Sequence, residues 1–175
     1  MSPTDPAARA AKIKLLVLDV DGVLTPGTVT LDHQGRELKF FNIKDGHGMK
    51  LLMRAGFELA WLSGRSGAAN RARAEQVGVS RLIEDAKVKL PVLTELVDQM
   101  GLAWEQVAFM GDDLIDLPPM RAVGLALAPA DAIDEVLQAA HWVSDHQGGR
   151  GAVRQACEFL LKAAGKWEQV TARYF

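Results

Sequence analysis

The sequence predicts an α/β fold, a doubly wound, Rossmann-like parallel sheet with helices on both faces. Apolar runs of strand length alternate along the chain with segments of helical periodicity. Strands that alternate with helices form parallel sheets, because each helix carries the chain back across a face of the sheet. The length of 175 residues is enough for one domain with a substantial core.

The first strand ends in two acidic residues. A continuous apolar run over residues 15–18 indicates a strand that is buried on both faces. Asp19 and Asp21 follow it, and the two-residue period of an extended chain places both carboxylates on one side. Gly22 then allows the backbone to turn out of the sheet. Ligands of open α/β sheets bind beyond the carboxyl ends of the strands, although Asp is also common in ordinary turns.

A β-hairpin is predicted after this strand. Residues 28–30 and the pair Phe40–Phe41 favour strands, and a turn signal over residues 32–35 separates them. The hairpin leaves the sheet beside the aspartates, so it can act as a flap. An isolated hairpin with apolar faces is only marginally stable in water. It therefore needs a second surface, either in its own domain or in another subunit.

A series of further elements is predicted after the hairpin. Residues 42–48 predict a ligand-facing loop, and the first long helix runs from Met49 to a stop at Gly56, with a plain strand-to-helix connection as the alternative for the loop. The remaining strands are predicted at residues 57–62, 81–84, 107–110, 123–126 and 141–144. The remaining helices are predicted at residues 66–76, 88–100, 117–120, from 131 onward, and at 151–164.

Composition narrows the class of protein. The net charge of −2 at pH 7 provides no basic field, so nucleic acid is not an expected partner. The one cysteine, Cys157, lies in a helical apolar pattern, which indicates a buried structural thiol in a reducing, cytoplasmic setting. No apolar run has the length of a membrane span, and residues 1–12 lack the apolar core of a signal peptide. We expect residues 1–12 to form a flexible arm and residues 13–175 to form a single domain.

Further groups of polar residues accompany the later strands. Ser63-Gly64-Arg65 follows one strand, Gly111-Asp112-Asp113 with Asp116 follows another, and Lys89 opens a helix between them. Because the carboxyl ends of parallel strands share one edge, these side chains form one candidate site with the first aspartates. Clustered carboxylates repel each other unless a cation joins them, and an oxygen-only ligand set suits Mg²⁺. Zinc is disfavoured, since no cysteine or histidine cluster accompanies the acids.

In this order, the motifs resemble those of the haloacid dehalogenase superfamily. They are D-x-D-G-V-L-T at residues 19–25, S-G-R at 63–65, Lys89, and G-D-D-x-x-D at 111–116. Segments 42–46 and 148–153, together with the chain length, resemble the capless phosphatases of that superfamily. The resemblance covers nearly everything from Ile13 to the last helix. It implies hydrolysis of the phosphate of a sugar acid, 3-deoxy-manno-octulosonate 8-phosphate, on the route to a lipopolysaccharide sugar.

The resemblance implies a role for each motif residue. Asp19 is the implied nucleophile, which forms an aspartyl-phosphate, and Asp21 is the implied general acid, which protonates the leaving oxygen and later activates water. The implied Mg²⁺ ligands are Asp19, the backbone carbonyl of Asp21, and Asp112. Ser63 and Lys89 would hold the transferring phosphoryl group. Dehalogenases need no acid at position 21, so Asp21 favours phosphoryl transfer.

The resemblance also bears on three residues near the motifs. Lys87 competes with Lys89 for the lysine role, and Lys89 is favoured because its position before Leu90 matches the family pattern. Asp113 and Asp116 are expected to orient the lysine or a metal-bound water from behind the ligands.

The same resemblance implies a pocket for a negatively charged sugar acid. Its implied substrate contacts are Asp21, Asn42, Ile43, Lys44, Asp45, Gly46, Lys50, Arg65, Arg73, Lys89 and Arg150. Cationic side chains suit such a substrate, and arginine binds a carboxylate through two parallel hydrogen bonds. Position 50 is a lysine where the family pattern has arginine, so that bidentate contact is absent there.

The resemblance also implies how water is kept from the site. The insertion after the first motif is only a hairpin, so no cap domain is expected. The related phosphatases form ring-like homotetramers in which the hairpins pack together and a neighbouring subunit covers each site. Residues 148–151 would be the covering segment, with Arg150 reaching the substrate. A loop that simply leads into the last helix is the alternative.

Three other functions remain open from the sequence. The nearest is the same chemistry on a nine-carbon phosphate of the sialic-acid type. A phosphorylatable receiver domain also has a doubly wound sheet, an acid cluster and a lysine, but it would leave Asp21 without a role. A non-catalytic oligomerisation module is disfavoured because Asp19, Asp21, Lys89 and Asp112 are all intact.

Overall fold

The computed structural model describes residues 5–175. Its strands are β1 (Leu15–Leu18), β2 (Thr30–Leu31), β3 (Glu37–Leu38), β4 (Glu58–Leu62), β5 (Arg81–Ile83), β6 (Val107–Met110), β7 (Leu125–Ala128) and β8 (Trp142–Val143). Its helices are α1 (Pro6–Ala10), α2 (Ile43–Arg54), α3 (Ala68–Val77), α4 (Lys89–Gln99), α5 (Leu117–Ala122), α6 (Asp134–Ala139), α7 (Ala152–Ala163) and α8 (Trp167–Thr171). In this described part, one parallel sheet has the order β5-β4-β1-β6-β7-β8, and β2 and β3 form an antiparallel hairpin. The predicted doubly wound α/β fold is confirmed.

Strand β1 lies at the centre of the sheet, where the winding reverses. It pairs in parallel with β4 on one side and with β6 on the other. The chain builds outward from β1 through β4 and β5, then returns to β6 and builds outward through β7 and β8. The carboxyl ends of β1 and β6 therefore flank a topological switch point, which is where open α/β sheets bind their ligands.

Side chains of β1 alternate between two apolar layers. Leu16 and Leu18 pack into the layer that includes α2 and α7, whereas Leu15 and Val17 pack into the layer that includes α4 and α5. All four side chains are fully buried. Since helices cover both faces, the strand has no solvent side, and this explains its unbroken apolar sequence.

At the amino end, the structure differs from the expected flexible arm. Residues 1–4 lie outside the described residues, but residues 6–10 form α1. Asp5 caps this helix by accepting a hydrogen bond from the Ala7 N–H at 3.0 Å. Ala10 is fully buried, and Arg9 Nη1 donates to the Gly124 carbonyl at 2.7 Å. The helix therefore docks on the domain, and the Asp-Pro pair at its start was the signal for it.

The predicted loop over residues 42–48 is wrong, because helix α2 begins at Ile43. The Asn42 side chain caps the helix by accepting hydrogen bonds from the Lys44 N–H at 2.7 Å and the Asp45 N–H at 3.3 Å. The glycines in this stretch serve close packing: a Cβ added at Gly48 would lie 3.0 Å from Arg154 Cδ, on α7. Glycine at this position allows two helices to approach each other. In the sequence alone, such glycines resemble the signal for a loop.

Several predicted boundaries shift, among them those of the hairpin strands, which were predicted at residues 28–30 and 40–41, and α8, like α1, was not predicted. Strand β7 covers residues 125–128 instead of 123–126, since the Gly124 N–H donates to the Trp104 carbonyl at 2.8 Å, outside the sheet ladder. Helix α6 begins three residues after Asp131, whose carboxylate accepts a hydrogen bond from the Gly148 N–H at 2.8 Å. Helix α8 follows α7 where no element was expected.

The hairpin has two different faces. Strands β2 and β3 pair with Thr30 opposite Leu38, and Asp32 closes the turn between them by accepting hydrogen bonds from Gln34 and Arg36. The side chains of Leu38 and Phe40, two residues apart on the outer face, are exposed to solvent, and so are Val29 and Leu31, which the register places on the side of Glu37. The side chains of residues 37 and 39 form ion pairs with the domain instead. The predicted flap thus covers the site with its charged side chains and exposes apolar side chains that have no partner among the described residues.

Across residues 5–175, no helix combines the length and the apolar character that crossing a bilayer requires.

Candidate active site

Four charged side chains converge beside the switch point. Asp19 follows β1 and Asp112 follows β6, so the parallel strands deliver both carboxylates to the same edge of the sheet. Lys89 is the first residue of α4, and Asp116 lies at the start of α5. Asp19, Lys89 and Asp116 are almost completely buried. These residues come from distant parts of the chain, and the predicted convergence of the motifs is what the structure shows.

Lys89 joins two of the aspartates. Its Nζ lies 2.6 Å from Asp19 Oδ1 and 2.6 Å from Asp116 Oδ1. Burial alone would lower the pKa of Lys89, but the charges of the two carboxylates outweigh it and hold that pKa above its usual value. The lysine is therefore a fixed positive charge between two acids. Lys87, the competing candidate, is exposed and donates to the Gly64 carbonyl, so the preference for Lys89 agrees with the geometry.

Asp116 acts as an organising residue because both of its oxygens are engaged. Oδ1 accepts from Lys89, and Oδ2 accepts from the backbone N–H groups of Asp112 at 3.0 Å and Asp113 at 3.4 Å. A Cβ at Gly111 would lie 2.3 Å from the Asp116 Cβ, so glycine is needed for this approach. Asp113 is exposed, and its carboxylate accepts from the Leu114 N–H. Of the two acids left open by the sequence, Asp116 orients the lysine and Asp113 does not.

Asp19 and Asp112 are buried carboxylates whose mutual repulsion a cation would reduce. Burial, together with the charge of Asp116, raises the pKa of Asp19 to about 6. Burial and the charges of Asp19 and Asp116 raise the pKa of Asp112 to about 8. Asp19, Asp112 and Asp116 each have one carboxylate oxygen that lies within 4.8 Å of the oxygens of the other two. Asp112 Oδ1 is buried without a hydrogen-bond partner in the described chain.

The residues present fit Mg²⁺. A hard divalent cation binds carboxylate oxygens, and the unpartnered Oδ1 of Asp112 is a ligand atom without another function. Asp116 has no oxygen left, so Asp19 and Asp112 are the carboxylates that can hold the ion. Gly22 keeps the cluster tight: its φ is +95°, and a Cβ there would lie 2.0 Å from Asp112 Oδ2. The turn after β1 must therefore have glycine at this position.

Asp21, the second predicted catalytic acid, lies at the mouth of the cluster. Its Oδ1 accepts from Lys39 Nζ of the hairpin at 2.7 Å, and its side chain is 28% exposed. The turn that carries it is held by Thr25, whose Oγ1 accepts from the Gly22 N–H at 3.3 Å. The two aspartates of the first motif therefore have different surroundings, one buried against Lys89 and the other at the boundary with solvent.

Ser63 and Arg65 occupy the end of β4. Ser63 is fully buried, and its Oγ accepts from the Arg65 N–H at 3.1 Å. The Ser63 N–H donates to the Ile83 carbonyl at 2.9 Å, which fixes the hydroxyl at the sheet edge. Arg65 is exposed and forms a 3.0 Å ion pair with Glu37 of the hairpin. Through this ion pair, Arg65 holds the hairpin against the domain.

Several of the predicted sugar-acid contacts lie around three separate cavities of the described residues. Asn42 and Arg150 line a cavity of about 520 Å³ at the base of the hairpin, which adjoins the turn after β1 through Pro26. Lys44 lines a second cavity of about 280 Å³ with Arg150. A third cavity of about 190 Å³, beside α2 and α3, is lined by Ile43, Gly46, Lys50 and Arg73. Only the first of these adjoins the catalytic turn.

Asp45 has a structural contact in place of the predicted substrate contact. It is 1% exposed, and its Oδ1 accepts from the Arg154 N–H at 2.8 Å, in the first turn of α7. Burial raises the pKa of Asp45, and the hydrogen bonds from the backbone oppose this shift. The carboxylate therefore caps α7, the adjacent helix of the same layer. Its position does not support a direct contact with a sugar.

The segment 148–151 packs against this chain's own catalytic turn. A Cβ at Gly148 would lie 1.7 Å from the Gly22 carbonyl oxygen, and one at Gly149 would lie 2.6 Å from Pro26 N. The Gly149 N–H also donates to the Val23 carbonyl at 2.9 Å. The two glycines thus place exposed Arg150 beside the catalytic turn of its own chain. The expectation that this segment covers a neighbouring subunit's site stays a prediction.

Sequence reasoning missed Lys39 and Glu37 as parts of the site. Both were read only as members of a hairpin strand. Their alternation with the apolar residues Leu38 and Phe40 was the available signal, since side chains two residues apart share a face of a strand. The docking of the hairpin on the domain determines which face of this strand lies toward the aspartates. Docking is a tertiary feature that the local sequence does not show.

Comparisons with known proteins agree with this geometry. Residues 48–156 match the haloacid dehalogenase-like hydrolase family. The 3-deoxy-D-manno-octulosonate 8-phosphate phosphatase of Yersinia pestis is 42% identical over 167 residues, covering 95% of this chain and 89% of the relative. The same-named phosphatase of Escherichia coli K12 is 41% identical over 165 residues, covering 94% of this chain and 88% of the relative. The solved structure of the Moraxella catarrhalis phosphatase in complex with magnesium ion, phosphate ion and KDO has a TM-score of 0.96 and 32% identity, covering 98% of this chain and 99% of that chain.

Removal of divalent cations should make stability depend on pH. In EDTA, we expect the free energy of unfolding to fall by several kcal/mol as pH rises from about 4 to about 8. Raised pKa values, about 6 for Asp19 and about 8 for Asp112, mean that the folded protein binds protons that the unfolded chain has released. Urea unfolding at a series of pH values measures this slope, and Mg²⁺ should flatten it.

The variant Asp112→Asn is the control for this measurement. It removes one of the two titrating carboxylates, so its slope in EDTA should be smaller than that of the wild type. An unfolding free energy that rises with pH over this range, in protein free of divalent cations, would contradict the assigned electrostatics.

Proposed function

The chain belongs to the haloacid dehalogenase-like hydrolase family, and from that premise we propose that it is a Mg²⁺-dependent phosphatase. It hydrolyses 3-deoxy-D-manno-octulosonate 8-phosphate to 3-deoxy-D-manno-octulosonate and phosphate. The observation that carries this proposal is the buried cluster in which Lys89 joins Asp19 to Asp116 beside Asp112. The extent and level of identity to phosphatases named for this substrate support the choice of sugar acid.

Asp19 is positioned to act as the nucleophile. An oxygen of its carboxylate forms a bond to phosphorus, the bond from phosphorus to the sugar oxygen breaks, and Asp21 gives that oxygen its proton. Water then attacks the aspartyl-phosphate while Asp21 takes up a proton, which regenerates Asp19 and releases phosphate. The different surroundings of the two acids suit these roles, since the nucleophile is fixed by Lys89 and the acid lies toward solvent.

The charge of the phosphoryl group must be neutralised during both steps. Mg²⁺, held by Asp19, Asp112 and the backbone carbonyl of Asp21, would supply this neutralisation and offset the repulsion between the carboxylates. Ser63 and Lys89 are the side chains of this chain that would contact the transferring group. Ser63 Oγ is held by the Arg65 N–H, and Lys89 Nζ is held by two acids, so both are preorganised before the substrate binds.

The sugar acid would bind in the cavity at the base of the hairpin. That cavity is lined by Asn42 and Arg150 and adjoins the catalytic turn, and the guanidinium of Arg150 suits the carboxylate of the substrate. Ile43, Lys44, Gly46, Lys50 and Arg73 lie around other cavities of the chain. Their proposed contacts with substrate require a neighbouring subunit, whose active site they would complete.

An assembly of four copies would bring those residues to a neighbouring site. The hairpin exposes Val29, Leu31, Leu38 and Phe40, with exposed fractions of 59%, 60%, 47% and 61%. An apolar face of a short hairpin is stable only when something covers it. We propose a homotetramer in which the hairpins of the copies pack together. The enzyme would act in the cytoplasm, in the synthesis of a lipopolysaccharide sugar.

Substitution Asp19→Asn should abolish phosphate release. The amide cannot act as the nucleophile, so we expect a loss of at least about 10³-fold in kcat with folding retained. Phosphate release is measured with Mg²⁺ on a panel that contains 3-deoxy-D-manno-octulosonate 8-phosphate and a nine-carbon sialic-acid-type phosphate. Asp113→Asn, at an exposed acid of the same loop, is the matched control and should retain activity.

The panel also separates the competing functions. Faster turnover of the nine-carbon phosphate would overturn the substrate assignment while leaving the chemistry intact. A variant Asp19→Asn as active as the wild type would overturn the mechanism. A phosphorylated protein that persists without turnover would indicate a receiver domain instead.

Charge on the outer face of the hairpin should dissociate the assembly. The double variant Leu38→Asp/Phe40→Asp places two carboxylates in the proposed contact, and we expect sedimentation velocity to show monomers in place of tetramers. Val143→Asp, an exposed apolar residue of β8, is the control and should sediment like the wild type. A wild-type chain that is monomeric and fully active would contradict the proposed assembly.

A further inference from the structure

We propose that Lys39 of the hairpin is a positioning residue that holds the carboxylate of Asp21 in place for proton transfer. This inference rests on the function proposed above, because it assigns a role relative to the general acid of that reaction. Lys39 does not belong to any of the four motifs, and it acts on the reaction through Asp21, not through direct contact with the reacting atoms.

The contact between the two residues is short and protected. Lys39 Nζ lies 2.7 Å from Asp21 Oδ1, and the Lys39 side chain is 3% exposed. Burial of an ammonium group is costly unless a charge of opposite sign compensates for it. The carboxylate of Asp21 provides that compensation, so the pair is more than an incidental surface contact. An exposed ion pair of the same length would justify no such conclusion.

The hairpin holds Lys39 from both sides. Two residues earlier, Glu37 forms a 3.0 Å ion pair with Arg65, at the end of β4. Two residues later, the ring of Phe41 stacks against Trp61, with 6.1 Å between the ring centroids. Because residues two apart share a face of an extended strand, these two contacts direct Lys39 toward the domain. The position of its ammonium group is therefore set by the fold.

Asp21 needs such a partner because little else holds its side chain. Its backbone is fixed by the turn at Gly22 and Thr25, but the carboxylate itself is 28% exposed. A carboxylate at the edge of solvent can occupy several rotamers, and only some of them reach the leaving oxygen. A misplacement of about 1 Å costs a catalytic group on the order of 10²-fold in rate. The ion pair selects one placement before the substrate binds.

This arrangement links assembly to chemistry through one strand. Leu38 and Phe40 point outward to the proposed subunit contact, and Lys39, between them, points inward to Asp21. Any movement of the hairpin therefore displaces the partner of the general acid. The flap does more than exclude water, since its position determines where the proton donor lies.

The test compares two leaving groups in Lys39→Met. Breaking the ester of a sugar phosphate needs a proton for the leaving alkoxide, whereas p-nitrophenyl phosphate leaves as a stable phenolate that needs none. We expect Lys39→Met to lower kcat/KM for the sugar-acid phosphate by about 10- to 100-fold and for p-nitrophenyl phosphate by less than about threefold. Comparison of kcat/KM restricts the measurement to steps up to phosphoryl transfer, so hydrolysis of the aspartyl-phosphate does not contribute.

Three further variants complete the test. Lys39→Gln also lacks the charge and should show the same split between substrates, which keeps the test valid if Lys39→Met does not fold. Lys39→Arg keeps a cation beside Asp21 and should recover most of the lost activity on the alkyl phosphate. Lys12→Met, at an exposed lysine ahead of β1, is the control and should leave both values unchanged.

Two results would overturn the assignment. Equal losses on the two substrates would show that Lys39 only supports the fold, and a rise in KM alone would show that it binds substrate. Failure of the proposed function looks different: a wild-type enzyme inactive on the sugar-acid phosphate but active on another alkyl phosphate would reject the substrate. The comparison of leaving groups would then be made with that alkyl phosphate, and its outcome still decides the role of Lys39.

Discussion

The interaction on which the rest of the site depends is the buried contact of Lys89 with Asp19 and Asp116. The ammonium of Lys89, at the start of α4, lies 2.6 Å from an oxygen of Asp19, after β1, and 2.6 Å from an oxygen of Asp116, in the loop after β6. Without the lysine, buried carboxylates this close would repel each other strongly. The cluster places more negative than positive charge in this small volume. That excess of negative charge favours a divalent cation, which in turn can neutralise the phosphoryl group of a substrate.

Glycine at two turns makes the cluster possible. Gly22 and Gly111 each leave space that a Cβ would take from Asp112 or Asp116. A third close approach, at Gly148, packs the loop before α7 onto the turn after β1. The same chain therefore brings the proposed nucleophile, its lysine and the base of the proposed substrate cavity to one edge of the sheet.

The sheet and the charged cluster could be predicted because they depend on local pattern and on parallel topology. Apolar strands followed by Asp19, Ser63 and Asp112 lead to one sheet edge whatever the details of packing. The helix over 43–54 could not be predicted in the same way, since Gly48 reflects the closeness of α7 and Gly46 that of the Arg73 side chain on α3. The docking of the hairpin, and hence the partner of Asp21, was also outside the reach of local pattern. Both depend on contacts between residues far apart in the sequence.

The most direct measurement of the central claim compares Asp116→Asn with Asp113→Asn. In Asp116→Asn, the side-chain NH₂ group would face either the ammonium of Lys89 or the backbone N–H groups from which Asp116 now accepts hydrogen bonds. Either orientation places two donors against each other. We expect kcat/KM for phosphate release to fall by about 10²-fold or more and the folded state to lose ~3 kcal/mol, whereas Asp113→Asn should match the wild type. An Asp116→Asn enzyme with wild-type activity and stability would contradict the account.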